Sequence, residues 1–508
     1  MAERREQFTS RWGLVLASLG MAVGTGNVWR FPRIFANNEG GAFLIPWLFF
    51  LFAWSIPLLI LEFGMGKKTR MGLIGAFGRL IGRNYSWMGG FVALVTTMIT
   101  FYYSVVMGWC LRYFFVALSG GLSRFSDAQA SQQAFEAFAT KGWALLFHLM
   151  AISIGAWVIY KGVVKGIERA NRILIPLLAL LLLIAAVRAL TLPGAEKGLQ
   201  FMFHIEWSRL ADYRVWLEGL TQSAWSTGAG WGLMLTYAVY SREREDTVRN
   251  SLIIGLGNNS MSLLAALAVI PTVFAYFHAV VPAEVATQQA FEVATYSGPA
   301  STGLTFVWMP ILFSNFPLGQ FFCAIFFLAL TAAALSSLIA QIELITRILM
   351  DFGMTRPRAI PTVFTAVFLG GVPSALSLTY FNNQDWAWGL GLMVSGGFFS
   401  FAAIKFGLTR VRTELINLPG NELNVGSWFN GVLGVLVPME FLVMLTWWMV
   451  QSFGFAEAWW NPFATYSLGT CLFQWALAII LLMGLNNWMA SRTLDLGGEI
   501  SHTGGIVQ

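Results

Sequence analysis

Residues 20–47 read GMAVGTGNVWRFPRIFANNEGGAFLIPW. Gly20, Gly24 and Gly26 fall within seven residues of an apolar segment, and glycine costs a helix up to about 1 kcal/mol relative to alanine. Unwound backbone inside a membrane is tolerated only where it lines a cavity or is buried in protein. Close packing of helices through small residues is the alternative. The stretch therefore predicts a membrane helix that is either interrupted or closely packed against its neighbours.

A second glycine cluster lies in residues 222–240, QSAWSTGAGWGLMLTYAVY, and contains Gly228, Gly230 and Gly232. Two such clusters, in corresponding spans of two halves, are expected of transporters built from inverted repeats around a midplane site. The N–H groups of a broken helix suit a carboxylate, and its carbonyls suit Na⁺ or an ammonium group. A zwitterionic amino acid offers both charges.

Composition places the chain in a membrane. Of 508 residues, 57 % are hydrophobic and 11 % are charged, against about 25 % charged residues in soluble domains. Stretches without Asp, Glu, Lys or Arg recur at residues 40–61, 84–111, 142–160, 219–241, 250–283, 359–384 and 458–491. Most of them reach the roughly 20 residues that span a bilayer, which excludes a soluble enzyme and a nucleic-acid binder. Cys110, Cys323 and Cys471 lie in apolar runs, so we expect small buried hydrophobes and neither a disulfide nor a zinc site.

We predict an all-α polytopic membrane protein with twelve spans, numbered here in chain order. They lie at residues 12–37, 41–66, 88–118, 142–160, 166–190, 216–241, 249–280, 317–351, 359–381, 386–412, 427–451 and 463–490. The loops around 281–316, 381–385 and 452–462 contain no Lys or Arg, so the positive-inside rule places them outside and both termini in the cytoplasm.

The predicted organisation has five parts. They are a cytoplasmic arm (1–11), a first five-helix repeat (12–190), an inverted second repeat (216–412), two accessory spans (427–490) and a cytoplasmic tail (491–508). Neutral oxygen ligands lie in or near the breaks, at Asn27, Ser226, Asn258, Ser336 and Ser337. Hard cations prefer oxygen ligands, and uncharged ones favour a monovalent ion.

The first stretch resembles the signature of the neurotransmitter:sodium symporter family, and most closely that of its bacterial amino-acid transporters of the leucine-transporter type. Further matches are LEFGMG at 61–66, TFYYSVVMGW at 100–109, the whole of 222–240, NNSMS at 258–262, AAALSSLIAQIE at 332–343 and QDWAWG at 384–389. The resemblance covers spans 1–10. It implies a 5+5 inverted repeat with helices 1 and 6 unwound at the midplane, and Na⁺-coupled transport.

The resemblance implies two sodium sites. The first would use Ala22, Asn27, Ser226 and Asn258, with the substrate carboxylate completing it. The second would use the carbonyls of Gly20, Val23 and Ala333 and the hydroxyls of Ser336 and Ser337. For a single serine, helix packing is an equally good explanation.

The resemblance also implies a substrate pocket. Its residues would be Met21, Ala22, Thr25, Gly26, Ile99, Tyr103, Trp225, Ser226, Gly228, Trp231, Ser337 and Gln341. Monoamine carriers of the family have an aspartate where this chain has Gly24, so the substrate must bring its own carboxylate, and Tyr103 would donate to it. Two tryptophans replace common phenylalanines, which predicts a small or medium neutral amino acid such as glycine or alanine.

Two charged pairs match the gates of the family. Arg30 and Asp385 match the outer pair, and Arg5 and Asp351 match the inner pair. Solvated charges at the ends of spans are the alternative. Phe8 lies where the family often has a tryptophan that plugs the inner vestibule.

Glu62 and Glu343 are carboxylates that lie well within predicted spans. Glu62 is predicted to accept hydrogen bonds from the unwound part of span 6, and Glu343 to face the inner pathway. Intramembrane carboxylates are costly and usually functional.

A tentative chloride site follows from the same resemblance. Gln222, Ser226, Asn258 and Ser262 match the neutral set of chloride-dependent members, whereas chloride-independent members have a carboxylate at the last position. Trp47 replaces a tyrosine of that set, which weakens the match. The neutral set predicts stimulation by chloride.

The resulting hypothesis is a Na⁺-coupled importer of a neutral amino acid that works by alternating access in the inner membrane of a prokaryote. The outer loop at 119–141 has no cysteine pair, which favours that location. A proton-coupled amino-acid carrier of the same fold is one alternative, although serines are poor proton carriers. A receptor or channel that binds amino acids without transporting them is the other. An enzyme is not expected, because no Ser–His, paired-Asp or metal motif lies within a span.

Overall fold

The computed structural model describes residues 6–502 and contains no β-strand in that range, so the predicted all-α class is confirmed. Nine helices of the described range are uninterrupted and long and apolar enough to cross a membrane. They are Gly41–Thr69, Arg83–Leu118, Gly142–Tyr160, Val163–Leu190, Thr247–Val280, Gly319–Asp351, Arg356–Leu376, Leu378–Phe406 and Trp428–Ser452, and they match predicted spans 2–5 and 7–11. Predicted span 12 is a helix, Leu468–Gly484, followed by a 56° bend into Asn486–Asp495.

Predicted spans 1 and 6 each consist of separate helices. Span 1 runs from Arg11–Ala22 into Thr25–Val28 and Arg30–Asn37, and span 6 runs from Tyr213–Ser226 into Leu233–Ala238. None of these pieces alone is long enough to cross a bilayer. The count of twelve treats each interrupted pair as one crossing and stays a prediction.

The break in span 1 is held by a local hydrogen bond. Val23 (φ −81°, ψ 90°) and Gly24 (φ −103°, ψ −171°) are extended, so the helix cannot continue. The side chain of Asn27 accepts a hydrogen bond from the Gly24 N–H at 2.9 Å. This bond satisfies a donor that the broken helix would otherwise leave unpaired.

The break in span 6 requires its glycines. Gly228, Gly230 and Gly232 have φ values of 70°, 85° and 79°, in the left-handed region that other residues rarely adopt. Glu62 of span 2 accepts hydrogen bonds from the N–H groups of Gly230 (2.6 Å) and Leu235 (3.3 Å). The predicted role of Glu62 is therefore confirmed: it replaces hydrogen bonds that the irregular backbone cannot form with itself.

Spans 3 and 8, together with spans 2 and 10, are the most buried of these nine helices. The most apolar windows of the span 3 and span 8 helices are 72 % and 83 % buried, whereas that of the span 11 helix is only 22 % buried. Shorter helices lie in the connections, at Leu73–Ile81, Ala128–Ala139, Ala195–Phe203, Ala283–Ala294 and Met309–Ser314. The three cysteines are buried and unpaired, which confirms their predicted role as small hydrophobes.

Three span boundaries differ from prediction because of capping residues. Span 10 was predicted to begin at 386, but its helix begins at Leu378, where the Ser377 side chain caps it by accepting a hydrogen bond from Tyr380 N–H at 3.2 Å. Its end at Phe406 precedes Gly407, whose φ of 101° stops the helix. A serine cap also starts the span 12 helix at Leu468, after Ser467. Cap chemistry of this kind acts over a few residues, which hydropathy does not resolve.

Candidate functional site

A cavity of about 780 Å³ lies between the two interrupted helices. All twelve predicted substrate-pocket residues line it, from the breaks of spans 1 and 6 and from spans 3 and 8. The structure thus brings together residues that are up to 320 positions apart in the chain, Met21 and Gln341 being the extremes. Their role in substrate binding stays a prediction.

Gly24 lies close to two hydroxyl groups in the cavity wall. A Cβ at this position would lie 3.0 Å from both the Tyr103 hydroxyl and the Ser337 hydroxyl. Thr25 N–H donates to the Tyr103 oxygen at 3.2 Å, and Ser337 donates to the Gly20 carbonyl at 3.1 Å. This part of the cavity therefore offers neutral donors to an anionic group.

The first predicted sodium set forms a compact cluster around Asn27, which is 1 % exposed. Its amide nitrogen, which has two N–H groups, lies within hydrogen-bond distance of three oxygens: Asn258 Oδ1 (2.8 Å), Ser226 Oγ (3.1 Å) and Ser262 Oγ (2.7 Å). Asn258 and Ser262 are fully buried. Spans 1, 6 and 7 are joined at this point by neutral oxygen atoms.

Whether a cation fits here depends on the orientation of the Asn258 side-chain amide. With its oxygen turned towards the break, Oδ1 lies 3.1 Å from the Ala22 carbonyl and 3.0 Å from the Ser226 carbonyl, so three oxygens face one another without a hydrogen between them. With the amide reversed, its nitrogen would donate to both carbonyls. A hard monovalent cation bound at this point favours the first orientation, because it needs the oxygens as ligands. The set therefore fits Na⁺ in the first orientation, whereas the reversed amide satisfies both carbonyls through its own N–H groups.

The second predicted sodium set lies where spans 1 and 8 meet. Ser337 donates to the Gly20 carbonyl, and Ser336, which is fully buried, donates to the Ala333 carbonyl at 3.0 Å. Val23 directly follows Ala22, the last residue of the first helix of span 1, and begins the break. All five predicted groups lie on these two elements, and their oxygen chemistry fits a hard cation.

Sequence reasoning missed Asn171 of span 5. Its amide is fully buried and lies directly against Gly20, and its oxygen has no hydrogen-bond partner among the described residues. The signal was a polar residue within an apolar span, five residues before Pro176. Span 5 thus contributes a polar group beside the second sodium set.

The predicted chloride set is only partly assembled by hydrogen bonds. Ser226, Asn258 and Ser262 belong to the cluster around Asn27, and Ser262 also donates to the Asn258 carbonyl at 3.3 Å. Gln222 and Trp47 are buried, and the Gln222 amide oxygen and the Trp47 indole N–H lack partners among the described residues. An indole N–H is a donor only, which suits an anion.

The predicted outer pair, Arg30 and Asp385, lines one end of the cavity without forming an ion pair. Among the described residues no salt bridge within 4.0 Å joins them. Arg30 instead lies over the ring of Trp225, 4.6 Å from its centroid. The cavity is therefore open between these two groups.

The opposite end is closed by packing and charge. Phe8 is 2 % exposed, its N–H donates to the Tyr240 carbonyl at 3.0 Å, and its ring packs edge-on against Tyr237. Arg5 lies outside the described residues, so the predicted inner pair is not seen, and Asp351 pairs with Arg347 at 2.6 Å.

Glu343 takes part in a second set of contacts that close this end of the cavity. The sequence predicted that Glu343 faces the inner pathway but did not predict its partners. Glu343 is fully buried and accepts two hydrogen bonds of 2.8 Å from Arg356 and one of 2.5 Å from Tyr240. Arg356 was missed because it follows span 8 in a short connection, where a charge usually faces solvent. It also reaches Glu6 of the N-terminal arm at 3.5 Å.

Known proteins match this arrangement over most of the chain. The family model described as the sodium:neurotransmitter symporter family matches residues 5–129 and 124–493. The chain belongs to the sodium:neurotransmitter symporter family. It is therefore a sodium-coupled membrane transporter and not an enzyme.

Individual relatives show the same likeness. An uncharacterized sodium-dependent transporter of Methanocaldococcus jannaschii is 31 % identical over 456 residues, which cover 86 % of this chain and 88 % of the relative. A sodium- and chloride-dependent GABA transporter of Drosophila melanogaster is 28 % identical over 386 residues, 68 % of this chain and 40 % of the relative. The crystal structure of MhsT in complex with L-phenylalanine matches with a TM-score of 0.74 and 28 % identity, over 87 % of this chain and 99 % of MhsT. The all-helical transporter fold predicted for this symporter is confirmed by that match.

The inner closure yields a prediction. Replacing Arg356 with alanine leaves Glu343 buried without its cation, which should weaken the closed inner end of this symporter. A cysteine introduced at Ser241, a buried residue at the end of the span 6 segment, should then react several times faster with a membrane-impermeant maleimide added from the side of the N-terminal arm. Background labelling is low, because the three native cysteines are buried.

The exposed Arg358, two residues further along, provides the matched control. Arg358→Ala should leave the labelling rate unchanged. Equal labelling in the Arg356→Ala and Arg358→Ala variants would show that the Glu343 pair does not hold the inner end closed.

Proposed function

We propose that this symporter imports a neutral amino acid together with Na⁺ by alternating access, across the inner membrane of a prokaryote. The observation that carries the substrate class is Gly24. The described acidic residues that line the cavity are Glu218 and Asp385, and both lie among the residues of its open end. The space beside Tyr103 and Ser337 therefore has no carboxylate of its own, and the substrate supplies one.

Coupling follows from the position of that carboxylate. Next to Gly24 it lies one turn of chain from Asn27, where it can complete the oxygen set of the first sodium site. Sodium and substrate then each bind more tightly when the other is present, and the two affinities change by the same factor. Two sodium ions are proposed, one at each oxygen set.

The arrangement of gates supports alternating access with the cavity open to the outside. Ser297 and Phe455, which line the open end, belong to the loops without Lys or Arg that the positive-inside rule places outside. The closed end carries Glu343, Arg356 and the N-terminal arm. The pair Arg30 and Asp385 would close the outer end when substrate is bound.

A thermal-stability screen of purified full-length protein tests the proposal. Each of the twenty amino acids is added in sodium and, separately, in potassium. A ligand that binds only the folded protein raises the melting temperature, so a neutral amino acid should do so in sodium and not in potassium. Stabilisation that is equal in both salts, and that depends on pH instead, would favour the proton-coupled alternative.

Counterflow in proteoliposomes separates transport from mere binding. Labelled substrate outside should accumulate in vesicles preloaded with unlabelled substrate, because a carrier exchanges the two. A receptor or a channel gives no such accumulation.

Chloride stimulation is proposed as a further property of the same site. Ser262 lies in the neutral cluster around Asn27, and the indole N–H of Trp47 is a candidate donor. A relative from Drosophila is named as chloride-dependent. Replacing chloride with gluconate should therefore reduce uptake at constant sodium; equal uptake would remove the chloride proposal and leave sodium coupling untouched.

Ser262→Glu should make uptake independent of chloride. The introduced carboxylate supplies the negative charge that the anion otherwise brings to the buried cluster. Ser262→Gln, which has the same size without the charge, is the control and should not gain this independence. Uptake by Ser262→Glu that still requires chloride would contradict the placement of the anion.

A further inference from the structure

Two polar atoms in the wall of the cavity lack partners, at the end away from the gate. The amide oxygen of Gln341 and the indole N–H of Trp231 are shielded from solvent and form no hydrogen bond within the described residues. Both residues line the cavity, and they are 1 % and 8 % exposed. The inference drawn from them rests on the proposed function and concerns the side chain of the substrate.

Both groups lie beyond the level at which the substrate carboxylate is proposed to bind. That level is set by Tyr103 and Ser337, which flank Gly24. Gln341 follows Ser337 by one helical turn, about 6 Å along the axis of span 8. The Trp231 carbonyl accepts a hydrogen bond from Thr96 at 2.8 Å, and Thr96 precedes Tyr103 by two turns of span 3. Spans 3 and 8 run in opposite directions. Moving forward along span 8 from Ser337 to Gln341, and backward along span 3 from Tyr103 to Thr96, therefore leads towards the same inner end of the cavity.

The walls around this end are otherwise apolar or neutral. Met21 and Ile99 are buried beside it. Charged lining residues of the described chain are Arg30, Arg33, Glu218 and Asp385, all among the gate residues. An ionic side chain would therefore lose its hydration without gaining a counter-charge.

A buried amide without a partner is costly, and the cost falls when a ligand supplies one. Gln341 presents an acceptor, while Trp231 presents a donor. A hydroxyl or a carboxamide can donate to the first and accept from the second. A methyl group can do neither.

We propose that the substrate is a neutral amino acid with a hydroxyl or carboxamide side chain, and that Gln341 and Trp231 select it. Serine, threonine, asparagine and glutamine form this class. The proposal replaces the expectation of glycine or alanine, because either of these would leave both polar atoms unpaired. Thr25, whose hydroxyl is 3.4 Å from the Tyr103 oxygen, remains at the carboxylate level and is not part of this selection.

Pairs of amino acids with similar shapes test this proposal about the substrate side chain. Threonine and valine, serine and 2-aminobutyrate, and asparagine and leucine differ mainly in hydrogen-bonding capacity. Affinities are measured in sodium by titrating each amino acid against the melting temperature of the full-length protein. The polar member of at least one pair should bind at least about tenfold more tightly than its partner, because a site built for a hydrogen-bonding group rejects the analogue without it.

Two variants test whether Gln341 and Trp231 cause the preference for polar side chains. Gln341→Met keeps the side-chain length and removes the amide, and Trp231→Phe removes the indole N–H; each should bring the ratio within a pair close to one while binding still requires sodium. Gln320→Met, at the exposed start of the same helix, is the control and should keep the ratio of the unaltered protein.

Three outcomes are informative. Equal or tighter binding of the apolar members by the unaltered protein overturns the inference, and it would mean that water pairs with Gln341 and Trp231. A tenfold ratio that persists in both variants also overturns it. If no amino acid raises the melting temperature in sodium, the proposed function itself fails, and this inference fails with it.

Discussion

Replacing Asn27 with alanine should abolish sodium-driven uptake and weaken the binding of sodium by about 10- to 100-fold, a loss typical of groups that orient metal ligands. The Asn27 side chain accepts a hydrogen bond from the Gly24 N–H at the break of span 1. Its amide nitrogen also lies within hydrogen-bond distance of Ser226, Asn258 and Ser262. Loss of this side chain removes a proposed ligand and releases the other groups of the cluster. The measurement is a sodium titration of substrate binding in the purified protein.

Asn37→Ala is the matched control for this change. Asn37 lies on the same interrupted span and lines the outer part of the cavity, but it is exposed and belongs to neither sodium set. It should leave the sodium midpoint within about twofold of the unaltered protein. A folded Asn27→Ala protein with an unchanged sodium midpoint would show that the first sodium site has been assigned to the wrong residues.

The position of the cavity could be predicted from the sequence because the residues that interrupt the helices lie within the interrupted segments themselves. Left-handed backbone at Gly228, Gly230 and Gly232 requires glycine, so their spacing marks the irregular segment before any contact is known. The resemblance then placed twelve pocket residues, and the structure gathers all of them around one space. Glu62 was predicted for a physical reason, since irregular backbone in lipid must find acceptors elsewhere.

Contacts between elements that are distant in the chain could not be predicted from the sequence. Asn171 and Gly20 lie on different spans, and nothing in either segment alone shows that an amide lies against the glycine. The pairing of Arg356 with Glu343 likewise depends on how the connection after span 8 folds back. The state of the outer gate could not be predicted either, because the distance between Arg30 and Asp385 changes with conformation in any alternating-access carrier.

Gly24→Asp should reverse the requirement for a carboxylate on the substrate. Gly24 has a φ of −103°, which any residue adopts, and its missing Cβ points towards the hydroxyls of Tyr103 and Ser337 at 3.0 Å. An aspartate there would occupy the place proposed for the substrate carboxylate. Binding of amino acids should fall by at least about 100-fold, since two like charges held together in a buried site cost several kcal/mol. The measurement is amino-acid binding to the purified protein in sodium.

Sodium binding distinguishes this electrostatic effect from simple crowding. In Gly24→Asp the side chain completes the first oxygen set, so sodium alone should stabilise the protein against heat at lower concentrations than in the unaltered protein. Gly24→Asn fills the same space without the charge; it should lose amino-acid binding through steric overlap, yet gain no sodium affinity. If the two variants respond to sodium identically, the substrate carboxylate is not a ligand of the first ion, and the coupling of the two fluxes must arise elsewhere in the molecule.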